Sequence, residues 1–288
     1  MADIAFVTYV GAPAGVPDDA LIADVLRAGG HSVRSVTWDD AGVDWSRFAA
    51  VVIRSAWDYH HRVEAYASWL RRLQDARVNL WNPADAVLAN LHKRYLVMLA
   101  RRGARVVPTA YVDAHHETTL RAVLEARGWD EVVIKPAVSA SADDTWRSSL
   151  DRAAADDARF AAQVRTRDVL VQPYLPAVAA QGEWSLIFFA GRFSHAVLKR
   201  PASGDYRVQQ HLGGDAVAAQ PPEGLIEQAA AILPMVEAPL LYARVDGVDI
   251  AGRFTLMELE INEPLLFIGS SPGASTRLAD AIGAVLPA

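Results

Sequence analysis

The stretch Leu256-Met-Glu-Leu-Glu-Ile-Asn-Glu-Pro264 limits what this chain can fold into more than any other. Its polar and apolar residues alternate with period two. A strand therefore carries Glu258, Glu260 and Asn262 on one face and Met257, Leu259 and Ile261 on the other. The run Leu241-Tyr-Ala-Arg-Val-Asp246 precedes it across a turn near Asp249 to Gly252, which predicts an antiparallel pair with Asp246 facing the same way as the glutamates. Carboxylates crowd together where a cation holds them, and magnesium suits such oxygen clusters because it takes one or two carboxylates beside phosphate oxygens and water. The alternation alone is equally consistent with a solvated acidic face. The residues upstream decide between the two.

A chain of 288 residues with 52% hydrophobic content buries a large core, and at about one domain per 100 to 200 residues it should divide into two or three units. No apolar run approaches the ~18 residues of a membrane span, and the start Met-Ala-Asp-Ile-Ala-Phe lacks the basic flank of a signal peptide. A cytoplasmic protein with no membrane partner is expected. The absence of cysteine excludes disulfides, thiol chemistry and a thiolate zinc site. A net charge of −6 argues against nucleic acid as a partner.

Ile4 to Val10 reads as a buried strand, followed by a helix from Pro17 with Asp18 and Asp19 at its positive end and Gly29-Gly30 beyond its last turn. Further strands at His31 to Thr37 and Val51 to Trp57 complete a βαβ pattern and predict a parallel sheet in a first α/β module, residues 1–106. Within it, Asn82-Pro83 looks like a helix start, and Leu88, Leu91, Tyr95 and Leu99 recur at helical spacing up to Gly103, with Lys93 outside the stripe. A compact second module, 107–173, contains a helix between the strands at Val107 to Tyr111 and Val132 to Pro136, then a Ser/Ala/Asp loop and a strand at Val169 to Leu175. The third module, 174–288, is rich in antiparallel strand, with pairs Glu183 to Phe189 and Phe193 to Lys199, then Leu241 to Val248 and Arg253 to Ile261.

Lys135 closes an apolar strand beside the loop Ala137 to Trp146, whose small side chains and hydroxyls, including Ser139 and Ser141, let backbone N–H groups approach an anion. Gln172-Pro-Tyr174-Leu175 would form a rigid hinge whose backbone could meet a planar base. Arg54, Asp58 and Tyr59 follow a strand end, where open α/β sheets bind ligands, although an internal salt bridge explains the charged pair as well. The pairs His60-His61 and His115-His116 lack the spacing of metal ligands on a helix and read as surface residues. His195 and His211 read as structural more readily than catalytic.

The order of these pieces resembles the ATP-grasp ligases over most of the chain. Gln172-Pro-Tyr-Leu-Pro176, Glu183, Arg207 with Gln209, and Gly213-Gly214 are similar to the glutathione synthetase branch, and Arg244-Val-Asp246 looks like a segment of the D-alanine–D-alanine ligases. The resemblance implies an N-terminal Rossmann-like domain, a small central lid and a C-terminal antiparallel-sheet domain. It gives Lys93 and Lys135, with Ser139 and Ser141, to the phosphates of ATP, and Gln172, Tyr174 and Leu175 to adenine. Glu183 would take the ribose or help fix the metal site, and Asp246 and Glu258 would bind Mg2+ with either Glu260 or Asn262 as third ligand. Arg207, Arg244 and Lys199 would neutralise the transferring phosphoryl group. Such a set phosphorylates a carboxylate and presents the acyl phosphate to an amine, by charge stabilisation and positioning.

Ser185 stands where glutathione synthetases carry an arginine, and the lid loop has serine and alanine where glycines are usual, so a different acid is expected. Val52-Ile-Arg-Ser-Ala-Trp-Asp-Tyr59 and the ending Glu-Leu-Glu-Ile-Asn-Glu-Pro264 are most similar to the branch of cyclo-ligases acting on O-ureido-D-serine in D-cycloserine biosynthesis. The expected partners are ATP and a small amino acid derivative, held by Arg54, Asp58, Tyr59 and Gln209, with self-association into a homo-oligomer left open. An intermolecular ligase is the alternative, ahead of a nucleotide-binding module without catalysis.

Overall fold

Three separate runs of the chain each close their own sheet in this computed structural model, which describes residues 1–202, 205–208 and 212–287. The first sheet is parallel, in the order β2 (Ser32–Thr37), β1 (Asp3–Thr8), β3 (Ala50–Ile53), β4 (Leu80–Trp81). Every residue of β3 is buried, as in a parallel strand covered on both faces. Helix α1 (Pro17–Ala28) has proline in its first turn beside Asp18 and Asp19, and α2 (Val63–Asp75) covers the sheet with Tyr66, Trp69 and Leu70. The strand expected to reach Val10 stops at Thr8, and the one expected to reach Trp57 stops at Ile53.

One long helix was the expectation for residues 83 to 103. The structure has two, α3 (Ala84–Asn90) and α4 (Tyr95–Arg101), and the interruption carries Lys93. Its backbone there is anchored, since Lys93 N donates to Ala137 O at 2.8 Å and the Tyr111 hydroxyl donates to Lys93 O at 2.6 Å. Asn82 is not a helix cap. Its amide nitrogen donates to Tyr242 O and Ile261 O, and its oxygen accepts from Leu241 N, tying the start of α3 to the third sheet.

The second sheet is antiparallel, in the order β5 (Ala110–Val112), β8 (Val169–Pro173), β6 (Glu131–Pro136), β7 (Trp146–Ser149). Helices α5 (Leu120–Arg127) and α6 (Ala153–Val164) cover one face, where Leu120, Leu124 and Phe160 meet Val132, Ile134 and Trp146. Neither β7 nor α6 was anticipated.

The third sheet runs β11 (Asp215–Ala218), β10 (Arg192–Arg200), β9 (Glu183–Phe189), β12 (Tyr242–Ile250), β13 (Arg253–Glu260), with antiparallel pairing throughout. A bulge follows Asp246, and at Gly247 a Cβ would lie 2.6 Å from Thr255 O, so only glycine lets the two strands approach there. Short α7 (Pro176–Gln181) leads into this sheet, α8 (Glu223–Ala230) packs on it, and α9 (Ala274–Ala284) returns to α1. Leu278 and Ile282 of α9 share one core with Ile4, Phe6 and Ile22 on one side and with Ile187, Phe189 and Tyr242 on the other. The first and third sheets are thereby held together. No described helix is long and apolar enough to cross a membrane.

Candidate active site

The second and third sheets face each other across a cavity of about 490 Å³, floored by β9, β10, β12 and β13. The expected alternation holds at this floor. Arg244 stands opposite Glu260 and Asp246 opposite Glu258, while Ser185 is the partner of Asp246 on the other side and Lys199 is paired with Glu183. Because these positions share one pleat face, seven polar side chains converge from four strands.

The charges are interlocked. Lys199 Nζ lies 2.5 Å from Glu183 Oε1 and 3.2 Å from Asp246 Oδ2. Arg244 holds Asp246 at 2.9 Å and also binds Glu260, and Ser185 Oγ donates to Asp246 at 2.6 Å. From the roof, Lys135 Nζ reaches Glu258 Oε1 at 2.7 Å, and Lys93 Nζ donates to Ser139 O at 2.8 Å. Burial raises the affinity of every one of these carboxyls for a proton, and the nearby cation decides which of them stays ionised. Against burial, Arg244 and Lys199 keep Asp246 well below the usual carboxylate range, and Lys135 and Lys93 bring Glu258 down to about 2. Glu260, buried and facing both Asp246 and Glu258 while sharing Arg244, rises to about 7. Burial also lowers Lys93, whereas Asp246 and Glu183 outweigh burial and raise Lys199.

Asn262 ends the acidic face. Its Oδ1 accepts from the Tyr66 hydroxyl at 2.7 Å, and its Nδ2 is buried without a hydrogen-bond partner among the described residues. With the amide turned over, Nδ2 would donate to the Tyr66 oxygen and the amide oxygen would take the unpartnered position. Asp246, Glu258, Glu260 and Asn262 line one cavity and all can offer oxygen, the donor chemistry of a hard divalent cation such as magnesium, although in their ion-paired arrangement the three carboxylates do not bring one oxygen each within 4.8 Å of one another.

Several expectations meet different surroundings. Tyr59, Ser139, Ser141, Tyr174, Leu175, Glu183 and Arg207 all line the cavity. Ser139 Oγ, however, donates to Pro136 O, and Arg207 is paired with Asp205 at 2.9 Å. Tyr174 N–H donates to Glu131 O, whereas Leu175 N–H donates to no acceptor among the described residues. Gln172 does not line the cavity, because its amide is turned to Thr109 Oγ1 at 2.9 Å. Arg54 and Asp58 do not line it either. Arg54 is buried against Asp19 at 3.0 Å, where the first turn of α1 folds over the end of β3, and Asp58 accepts from Trp38 Nε1 and Arg62. Gln209 and His211 lie outside the described residues.

The reading from sequence missed Glu263, Trp57, Phe267 and Tyr206, all of which line the cavity. Glu263 sits off the even-numbered face, and only the end of β13 at Glu260 frees the chain to turn it inward. Trp57 Nε1 donates to Glu263 O at 3.0 Å and fixes that backbone. Burial, then the proximity of Glu260, pushes Glu263 up to about 8. Among the described residues, no lysine or arginine lies within ion-pair distance of it.

Comparison with known proteins adds two family matches, to the N-terminal domain of D-cycloserine synthetase DcsG over residues 4–82 and to the ATP-grasp domain of prokaryotic glutathione synthetase over residues 97–267. The cycloserine biosynthesis protein DcsG of Streptomyces lavendulae is 32% identical over 286 residues, covering 91% of each chain. A crystal structure of D-cycloserine synthetase DcsG superposes with a TM-score of 0.87 at 30% identity, covering 99% of this chain and 100% of the other. The D-alanine–D-alanine ligase of Bacillus anthracis complexed with ATP reaches a TM-score of 0.69 at 13% identity over 99% of this chain and 97% of its own, a likeness of fold alone.

Proposed function

This chain belongs to the ATP-grasp family of ATP-dependent ligases, and from that premise we propose that it closes O-ureido-D-serine into D-cycloserine with conversion of ATP to ADP and phosphate. The observation that carries this reading is the acidic floor facing Lys93 and Lys135, joined to an N-terminal unit of the DcsG kind. Such a cavity can bring a triphosphate and a small acid to one point.

In this reading a substrate carboxylate oxygen attacks the γ-phosphorus, the bond to the β-phosphate oxygen breaks, and ADP leaves. The nitrogen attached to the substrate's ether oxygen then attacks the acyl carbon and expels phosphate. The product formula lacks the carbamoyl group, which water removes as carbon dioxide and ammonia. Asp246 and Glu258, with Glu260 or Asn262, would hold magnesium, which when bound screens the phosphate charge. Lys93 and Lys135 would meet the phosphates from the roof, and the Leu175 backbone would meet adenine. Arg244, Lys199 and Arg207 would stabilise charge on the transferring group. No protein nucleophile is required, in keeping with a chain that has no cysteine.

The substrate end is assigned to Tyr59, Trp57 and Glu263. Glu263, and not Asp58 from the expected substrate set, is assigned to accept from the α-ammonium group, since it lines the cavity and Asp58 does not. A bound ammonium would ionise Glu263 and orient the acid for ring closure. Incubation with ATP, magnesium and O-ureido-D-serine should yield ADP and D-cycloserine by mass spectrometry. If that acid elicits no ADP while γ-glutamylcysteine plus glycine or paired D-alanines do, an intermolecular ligase replaces the cyclising one.

A further inference from the structure

The histidine pair His60-His61, set aside on its spacing, is completed by a residue from another part of the fold. The two histidines form the end of a one-turn 3-10 helix, Tyr59–His61, beyond β3, and Asp143 comes from the loop between β6 and β7. One ligand atom from each of His60, His61 and Asp143 lies within 4.8 Å of the others. The imidazole centroids are 3.9 Å apart, so adjacency in sequence does not turn the rings away from each other. His60 Nδ1 is buried and meets no hydrogen-bond partner among the described residues, and Asp143 makes no ion pair with a lysine or arginine among them. The neighbouring Asp144 is instead the residue near Arg159 and Arg167. Asp143 itself is presented by a turn in which Ser141, Ala142 and Asp144 all have positive φ, at 54°, 60° and 49°. For residues with a Cβ that conformation is costly and persists where surrounding contacts fix it.

We propose that His60, His61 and Asp143 bind a late first-row divalent metal ion, with zinc as the best fit, and that this ion fastens the second sheet's loop to the first sheet across the cavity mouth. Two imidazoles and a carboxylate, with water in the fourth position, are a common zinc donor set, whereas imidazole is a poor ligand for magnesium. The site is thus chemically separate from the all-oxygen floor. Its position gives it a consequence. Tyr59 precedes His60, and Ser141 and Ala142 precede Asp143, and all three line the cavity. An ion held here links the two rims and restrains opening of the loop, whatever acid the enzyme turns over.

The test uses the untagged full chain in millimolar Mg2+, titrated with Co2+ for its visible spectrum and with Zn2+ by calorimetry. One equivalent should bind, and His61→Ala and Asp143→Asn, both changes at exposed positions, should each weaken binding by about tenfold or more because each removes one ligand. Equal binding by parent and both variants, or no binding tighter than about 100 μM, overturns the site. Zn2+ should also slow amide hydrogen exchange across residues 139–145 in the parent and leave Asp143→Asn unchanged. Exchange in the parent that is indifferent to Zn2+ overturns the fastening.

Discussion

Glu258 and Glu263 lie five residues apart, yet their carboxyls are driven in opposite directions, Glu263 upward by burial and by Glu260, and Glu258 downward because Lys135, paired with it at 2.7 Å, and Lys93 outweigh its burial. Replacing Glu258 or Asp246 by alanine should lower ADP formation by about a hundredfold or more, on the scale of losing one group that stabilises the transition state. Near-normal turnover of either variant at saturating ATP and magnesium would remove it from the machinery. Glu263 makes a prediction of opposite kind. Its carboxyl is raised from 4.5 to about 8 in the folded, metal-free chain, so its contribution to stability is complete below pH 4.5 and is lost as pH climbs through 8. Thermal melts in EDTA should therefore show the parent losing ground to Glu263→Gln between those limits, and parallel pH profiles would contradict the assignment. The floor residues were legible because strand parity is a local rule. Arg54 and Asp58 were not, because their partners Asp19, Trp38 and Arg62 are chosen by how α1 and the loops fold over the sheet.

The elements show where local pattern stops being enough. Apolar residues at helical spacing run unbroken through 88 to 99, yet the helix breaks around Lys93, since the chain there is bonded to Tyr111 of β5 and to Ala137 just beyond β6. Nothing within the segment announces those partners. Asn82 carries the same lesson, since a helix-start motif serves instead as a clamp on Leu241, Tyr242 and Ile261. Asn82→Ala leaves three buried backbone groups without their partner, at about 1–3 kcal/mol for a single such group and less than additively together. A loss of about 2–4 kcal/mol in denaturant unfolding is expected, and a change below about 0.5 kcal/mol would show that the clamp is dispensable. The strand pairs of the third sheet, by contrast, were readable from alternation and their turns, and β7 was missed because its four residues are too few to establish a period.

Across the whole molecule, the three sheets follow the order expected from sequence, while the closure of α9 onto α1 joins residues more than 240 positions apart and left no local trace. The floor has a consequence of its own at this scale. In the protein by itself Glu258 is matched to Lys135, and Asp246 to Arg244 and Lys199, so each group that would take a metal already neutralises a group that would take a phosphate. Either ligand arriving alone must break a pairing and strand one charge, whereas arriving together they exchange old partners for new ones with nothing left over. Metal and nucleotide should therefore display positive thermodynamic coupling, each improving the other's affinity by the same factor, of about 5- to 150-fold. Calorimetric titration of Mg2+ with and without a non-hydrolysable ATP analogue, and of the analogue with and without Mg2+, measures both sides of that cycle after correction for the complex they form in solution. Independent binding would mean that the ion pairs offer no resistance. With coupling, the cavity acts as a coincidence detector, its cations and carboxylates released from one another only when the complete reagent is in place.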